Sequence, residues 1–402
     1  MKTIVSIALV TGLACTAHAQ GPLVPPGAPA PSMKTLTQIE PRTDVLRLAG
    51  DAGAQHVISS PGSYYLTGEI SSVSTPVAIR ITASHVTLDL GGFRIHGDSA
   101  SNRTGIQLSG NLENVRIHNG ILSTFQNLIT VASGSPGANT VSGAVVESIQ
   151  GSGFNGAGIH LGSTASNRVE NCVLVGGLAG IHAGSIVNCH VATAIPSAIA
   201  ISAYSRVSQS SGIATGTGSV GISAADCEVS HAKGQGTSAG LIGGNVANSR
   251  GISTLGIGID ATGNVSQSEG SSIDETGIFS EGSISDSIGR AGQGFGLWAG
   301  GNVANSTGIV EADGIGIRSL GSVSNSTGEG VQAWGILAEG TVSHSSGSSR
   351  DDVLGFVGVG IGAKIIHHSH GDADGGTGLQ ATLAVGSTST GADIIDNRYL
   401  MP

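Results

Sequence analysis

Gly240-Leu-Ile-Gly-Gly-Asn-Val-Ala-Asn-Ser249, Gly258-Ile-Asp-Ala-Thr-Gly-Asn-Val-Ser-Gln-Ser268 and Gly277-Ile-Phe-Ser-Glu-Gly-Ser-Ile-Ser-Asp-Ser287 are three copies of one pattern. It continues at Gly296-Leu-Trp-Ala-Gly-Gly-Asn-Val-Ala-Asn-Ser306, Gly316-Ile-Arg-Ser-Leu-Gly-Ser-Val-Ser-Asn-Ser326 and Gly335-Ile-Leu-Ala-Glu-Gly-Thr-Val-Ser-His-Ser345. The opening glycines lie 18, 19, 19, 20 and 19 residues apart. Within each copy, Gly-(Ile/Leu)-x-(Ala/Ser/Gly) alternates buried-type and variable residues with the period of a strand. A glycine-bearing turn follows, then a second short strand opened by Val or Ile. Self-similarity at such a period is the mark of a solenoid, in which each coil buries its apolar side only by stacking on its neighbours.

Aligning outward from this stretch produces columns. The aliphatic residue of the second strand is Val169, Ile186, Val207, Val229, Val246, Val265, Ile284, Val303, Val323, Val342 and Ile366. Three positions later comes a column of small residues: Cys172, Cys189, Ser210, Ala232, then serine from Ser249 to Ser369. Between them lies a polar column: Asn171, Asn188, Gln209, His231, Asn248, Gln267, Asp286, Asn305, Asn325, His344 and His368. A position that stays polar in every coil predicts a ladder of side chains bonding from coil to coil, since buried polar groups are costly unless paired. Helical period is missing, and glycine at this density is incompatible with helices, which excludes an α-solenoid. Leucine-rich repeats and the strict hexapeptide of a left-handed β-helix are absent too.

Earlier coils are longer and more aliphatic, as in Val86-Thr-Leu-Asp-Leu-Gly-Gly-Phe-Arg-Ile-His96 and Gly105-Ile-Gln-Leu-Ser-Gly-Asn-Leu-Glu-Asn-Val115. With Val169-Glu-Asn-Cys172 and Ile186-Val-Asn-Cys189, the chain resembles the right-handed parallel β-helix proteins of the pectate lyase-like superfamily. Pro61-Gly-Ser-Tyr-Tyr-Leu-Thr-Gly68 is similar to the opening of exported bacterial members without a demonstrated activity. The resemblance covers roughly residues 33–397 and implies fold, not chemistry. The expected architecture is all-β: a right-handed parallel β-helix of about 14–15 coils of roughly 19 residues each, over residues 78–398.

Met1-Lys2, the apolar run from Ile4 to Cys15 and Ala17-His18-Ala19 read as a signal peptide over residues 1–19, cleaved after Ala19. Residues 20–31 form a proline-rich tether, and residues 32–77 an N-terminal cap with a short helix near Lys34 to Ile39. Residues 399–402 are a thin tail. The chain is therefore expected to be secreted, with no membrane-spanning segment. A net charge of −10 with four lysines argues against a nucleic-acid partner. Sixty-six glycines and 3% aromatics beside 39% hydrophobic residues fit a narrow core with many turns. Cys172 and Cys189 fall on adjacent coils; parallel Cβ vectors oppose the disulfide dihedral, which favours buried thiols over a bond.

The superfamily's pectin-cleaving members use a groove along the sheet made by the Gly-Ile-x-Ile strands, as the resemblance implies. The outward position of those strands here reads Ser223, Ile242, Asp260, Phe279, Trp298, Arg318, Leu337, Gly362 and Gln380. One carboxylate does not meet the demands of a calcium site or of glycoside hydrolysis. Phe279, Trp298 and Arg318 on consecutive coils form either a sugar-binding strip or a small satellite core under a neighbouring loop. His344, His367, His368, His370, Asp372 and Asp374 are the densest metal-capable set; the alternative is that they are turn and loop residues. No cofactor is expected; a divalent metal at that set is the alternative. Asp89, Arg94, His96 and Asp98 read as a structural cluster, and the insertion from Ser348 to Gly358, with Arg350, Asp351 and Asp352, as a solvated loop. The function these residues suggest is a structural or binding module that presents a repetitive face to a polysaccharide or cell-surface partner. The alternative is a polysaccharide lyase or glycoside hydrolase acting on an acidic polysaccharide. Oligomeric state is not readable from the sequence.

Overall fold

The computed structural model describes residues 42–71, 75–98, 102–133, 139–350 and 358–399. The expected signal peptide, the tether, the helix near Lys34 to Ile39, and Asp351 and Asp352 lie outside the described residues. The described chain is a parallel β-solenoid of about 16 turns with about 20 residues per turn. A single 3-10 turn, Val45–Arg47, is the only helical element among the described residues. Part of the segment expected as an N-terminal cap pairs as coils: Ala54–Ile58 pairs with Val77–Ile81, and Gly62–Tyr65 with Val86–Asp89.

One coil explains the rest. Ile257–Ala261 forms its first strand, Val265–Ser266 its second and Glu269–Ser272 its third. Each pairs in parallel with its counterpart one coil on, Ile259 with Ile278, Val265 with Ile284 and Gly270 with Gly289. Stacked, these become three faces, called here the first, second and third sheets. The first sheet's inward column runs from Ile79 through Ile181, Ile259 and Ile317 to Leu379, each with essentially no exposed surface. The second sheet's inward column contains the aliphatic series read from the sequence, also fully buried.

At the corner between the second and third sheets, every member of the polar column, from Asn171 to His368, has φ between +44° and +52°. Asn, Asp and His tolerate this left-handed conformation better than other side-chain-bearing residues, which accounts for nine of the eleven positions; Gln209 and Gln267 fill the other two. The expected ladder there is sparse: among the described residues Asn188 donates to Asn171 at 2.7 Å and Asn305 to Asp286 at 3.1 Å.

Continuous ladders occupy two other columns. From Ser249 to Ser369, each buried serine hydroxyl donates to the carbonyl two residues earlier at 2.6–2.9 Å. Each of these serines also donates its own backbone N–H to the serine hydroxyl of the next coil at 3.2 Å. Cys172 and Cys189 occupy the same column as free thiols, their sulfurs lying 3.0 and 3.3 Å from the carbonyls of Glu170 and Val187. The second ladder sits in the turn before the second strand. There the side chains of Asn245, Asn264, Ser283, Asn302 and Ser322 each accept a backbone N–H from the next coil at 2.8–3.1 Å.

Glycine determines how thin the later coils are. A methyl group at Gly251, Gly270, Gly289, Gly308 or Gly328 on the third sheet would sit 2.0–2.2 Å from the carbonyl oxygen of Gly258, Gly277, Gly296, Gly316 or Gly335 on the first. The two sheets touch backbone to backbone there. Earlier coils are wider: the buried Phe and Tyr side chains among the described residues, Tyr64, Phe125 and Phe154, all belong to the first part of the solenoid.

Two stability predictions follow from this packing. Gly289→Ala forces the sheets apart and is expected to cost about 1–3 kcal/mol or more, whereas Gly68→Ala, where the new methyl meets only Leu46 at 3.5 Å, should be close to neutral; chemical denaturation of both variants checks this. Ser306→Ala removes the acceptor of the buried Ser287 N–H and should cost about 1–3 kcal/mol by the same measurement.

Candidate functional site

Alternation along each first-sheet strand sends every second side chain outward, so parallel register lines these residues up along the solenoid. The resulting row contains Thr130, His160, His182, Ser202, Ser223, Ile242 and Asp260. It continues through Phe279, Trp298, Arg318, Leu337, Gly362 and Gln380 to Ile394.

Phe279 and Trp298 stack with ring centroids 4.4 Å apart and planes inclined by only 10°. Both are half-buried, and one face of each ring is covered by the other. Arg318, one rung further, turns its guanidinium to Glu339 at 2.9 Å. The structure thus places the three sequence-predicted residues together on consecutive rungs. On the other side of the stack lies Asp260, half-buried next to Phe279. Burial, reinforced by the Glu281 carboxylate, holds its carboxyl above the usual carboxylate range.

Past Arg318 the row dips. The Trp334 indole lies over Gly362 so closely that a Cβ there would come within 2.1 Å of the ring. The dip forms a groove of about 470 Å³ lined by Trp334, Leu337, Glu339, Lys364, Gln380 and Asp396. An indole wall with acidic, basic and amide groups around it suits a polyhydroxylated ligand, which needs both an apolar face and hydrogen-bond partners.

The same row carries a second ring cluster that reading by sequence missed. His160 and His182 meet edge to face at 4.5 Å, and His182 meets Tyr204 at 4.9 Å. His160 remains exposed and His182 is half-buried. Burial, with His160 beside it, pulls His182 down to about 4, so its imidazole is neutral except in strong acid. The signal was available: Ala157-Gly-Ile-His160 and Ala179-Gly-Ile-His182 are identical tetrapeptides.

The histidine-rich set near the end does not come together as one ligand shell. His344 and His368 stack at 5.5 Å along the left-handed corner, and the Nδ1 atoms of His367 and His368 face each other at 2.8 Å. His370 bonds Thr388 at 2.9 Å, Asp372 accepts from Thr390, and Asp374 is exposed. Among the described residues no group of three or more His, Cys, Asp or Glu side chains is arranged to hold a metal ion. Asp89 serves its own turn, accepting the Gly91 N–H at 2.8 Å and pairing with Arg42 at 3.0 Å. His96 bonds Ser123, and Asp98 pairs with Arg103. A broader groove along the corner, lined by His231, Lys233, Arg250, Glu269 and Asp286, mixes charges, with Arg250 and Glu269 paired at 3.3 Å.

Comparison of the chain with protein-family models, with curated proteins and with solved structures returns no match. Among the described residues no helix is long and apolar enough to cross a membrane.

The Asp260 environment makes a signed prediction. An acid whose folded pKa lies above its unfolded one destabilises the fold once ionised, and has no effect where both states are protonated. Asp260→Asn is therefore expected to raise the melting temperature at about pH 7 and to leave it nearly unchanged at about pH 3. An equal shift at both values, measured by thermal melts, would contradict this reading of the site.

Proposed function

We propose that the chain is an exported right-handed parallel β-helix of the pectate lyase-like type, acting as a structural or binding module whose first-sheet face holds a polysaccharide or cell-surface polymer. The observation that carries the proposal is the Phe279–Trp298 stack at 4.4 Å, in line with the groove under Trp334. Rings are scarce in a chain with 3% aromatics, and half-buried rings on outward rungs of a sheet are held in place for a ligand at little ordering cost. The row runs parallel to the solenoid axis, with rungs about 4.8 Å apart, which suits an extended polymer better than a small molecule.

A second reading has one observation in its favour. Asp260, kept protonated more readily by burial and by Glu281, has the property required of a general acid in a hydrolase or lyase acting on an acidic polysaccharide. Release of reducing or unsaturated ends that disappears in Asp260→Asn would establish that reading instead.

The test of binding is affinity electrophoresis or calorimetry against a panel of neutral and acidic polysaccharides. Trp298→Ala is expected to weaken retention by about three- to tenfold, the value of one aromatic contact. Retention equal to that of the unaltered protein across all polymers bound would overturn the proposal.

A further inference from the structure

Three of the inward columns that build the core change character together at one rung, while the second inward column of the first sheet stays apolar there, Ala381 being followed by Ile395. The first-sheet column, aliphatic from Ile79 to Leu379, ends on Asp393, which pairs in register with Leu379. The second-sheet column, Val342, Ile366, Ala384, ends on Arg398. The third-sheet column, glycine at Gly328, Gly347 and Gly371, ends on Ser389. A rung that would read Ile, Val, Gly by extension reads Asp, Arg, Ser.

These three replacements bind one another. Arg398 donates to Asp393 Oδ2 at 2.6 Å, and the Ser389 hydroxyl donates to the same oxygen at 2.8 Å. The other carboxylate oxygen, Oδ1, accepts the Leu379 backbone N–H at 3.1 Å, and Arg398 also donates to the Ser387 carbonyl at 3.3 Å. The Asp393 side chain is 17% exposed and that of Arg398 38% exposed. The group thus lies across the end of the apolar columns rather than projecting from the surface. At the other end the first-sheet column opens on a polar residue too: His56 pairs with Ile79 and its Nδ1 lies 3.0 Å from the Leu48 carbonyl.

We propose that Ser389, Asp393 and Arg398 form a polar plug that closes these three columns at the 388–399 rung and prevents a second copy of this chain from stacking on it. A solenoid's last coil is a template, because its strands offer unpaired N–H and C=O groups and its columns offer apolar ends in register with any further coil. An ion pair and a serine in place of three column ends reduce the hydrophobic gain of docking to what Ile395 offers. They also require any docking coil to desolvate charges already bonded within their own rung. The serine completes the device, because the thin glycine column leaves room for a small side chain that can reach the carboxylate. Three coordinated substitutions in three columns, bonded to one another, are what such a plug requires; isolated surface polarity would not place them on one rung.

The test uses the full chain. The double variant Asp393→Leu with Arg398→Val continues the aliphatic columns through the last rung. In sedimentation velocity it is expected to show a concentration-dependent shift to higher mass over a range in which the unaltered protein's profile stays constant. A double variant that folds, by circular dichroism and a cooperative melt, yet sediments like the unaltered protein would overturn the proposal. Should that variant fail to fold, Asp393→Ala decides by amide hydrogen exchange. The Leu379 amide, which loses its acceptor, should exchange at least tenfold faster while amides before residue 370 keep their rates. Unchanged protection at Leu379 would also overturn the proposal.

Discussion

The hydrogen bond from each corner serine's N–H to the serine hydroxyl one coil on is the interaction on which the later coils depend. A chain turning through a left-handed residue between two sheets breaks the backbone ladder, leaving buried donors and acceptors at the bend. One hydroxyl solves this for both directions, donating to its own coil's carbonyl and accepting the N–H of the coil before. The solution repeats from Ser249 to Ser369 with almost invariant geometry, so every coil sets the register of the next. Where cysteine replaces serine, at Cys172 and Cys189, the thiol sits against the same carbonyl position. The cysteines thus take the place of the serines at the corner.

Because the corner holds register with small side chains, the interior can be almost closed. The facing glycines of the first and third sheets bring the backbones into contact and leave the branched aliphatic residues of the first and second sheets to fill what remains, Ile259 beside Val265 in one coil. A core this thin has no space for aromatic rings, so the larger rings of the later coils, Phe279, Trp298 and Trp334, lie on outward or half-buried positions. Structural demand inside and recognition chemistry outside are thereby separated. The inward columns are nearly invariant, whereas the first-sheet outward row changes at every rung from Ser223 to Ile394.

That separation also explains what could be read in advance. The aliphatic series from Val169 to Ile366 was legible because burial tolerates only branched apolar residues at a fixed spacing, and the stack of Phe279 on Trp298 follows once that spacing is known. The polar column was visible as a column, but its cause lay in backbone conformation: φ near +50° selects Asn, Asp and His, and side-chain bonding plays little part. The true ladders were hidden because serine in a small-residue column looks like a spacing device until its hydroxyl is seen to be bonded on both sides. His160 and His182 escaped notice since the coils around them are irregular in length, so the outward row was followed only from Ser223 onward. The histidines from His344 to His370 looked like one site because they are close in sequence, but they divide between a corner and the third sheet, whose side chains diverge. Asp393 and Arg398 gave no sequence signal, as their meaning depends on which columns they terminate.

A solenoid held in register this way requires the buried corner ladder to be a cooperative part of the core and not a surface turn. Site-resolved amide hydrogen exchange measures this directly. The N–H groups of Ser268, Ser287, Ser306 and Ser326 are predicted to exchange as slowly as those of Ile259, Ile278, Leu297 and Ile317, opening only when whole coils unfold. Exchange of the serine amides at the rates of exposed loop amides, with the isoleucine and leucine amides still protected, would contradict it.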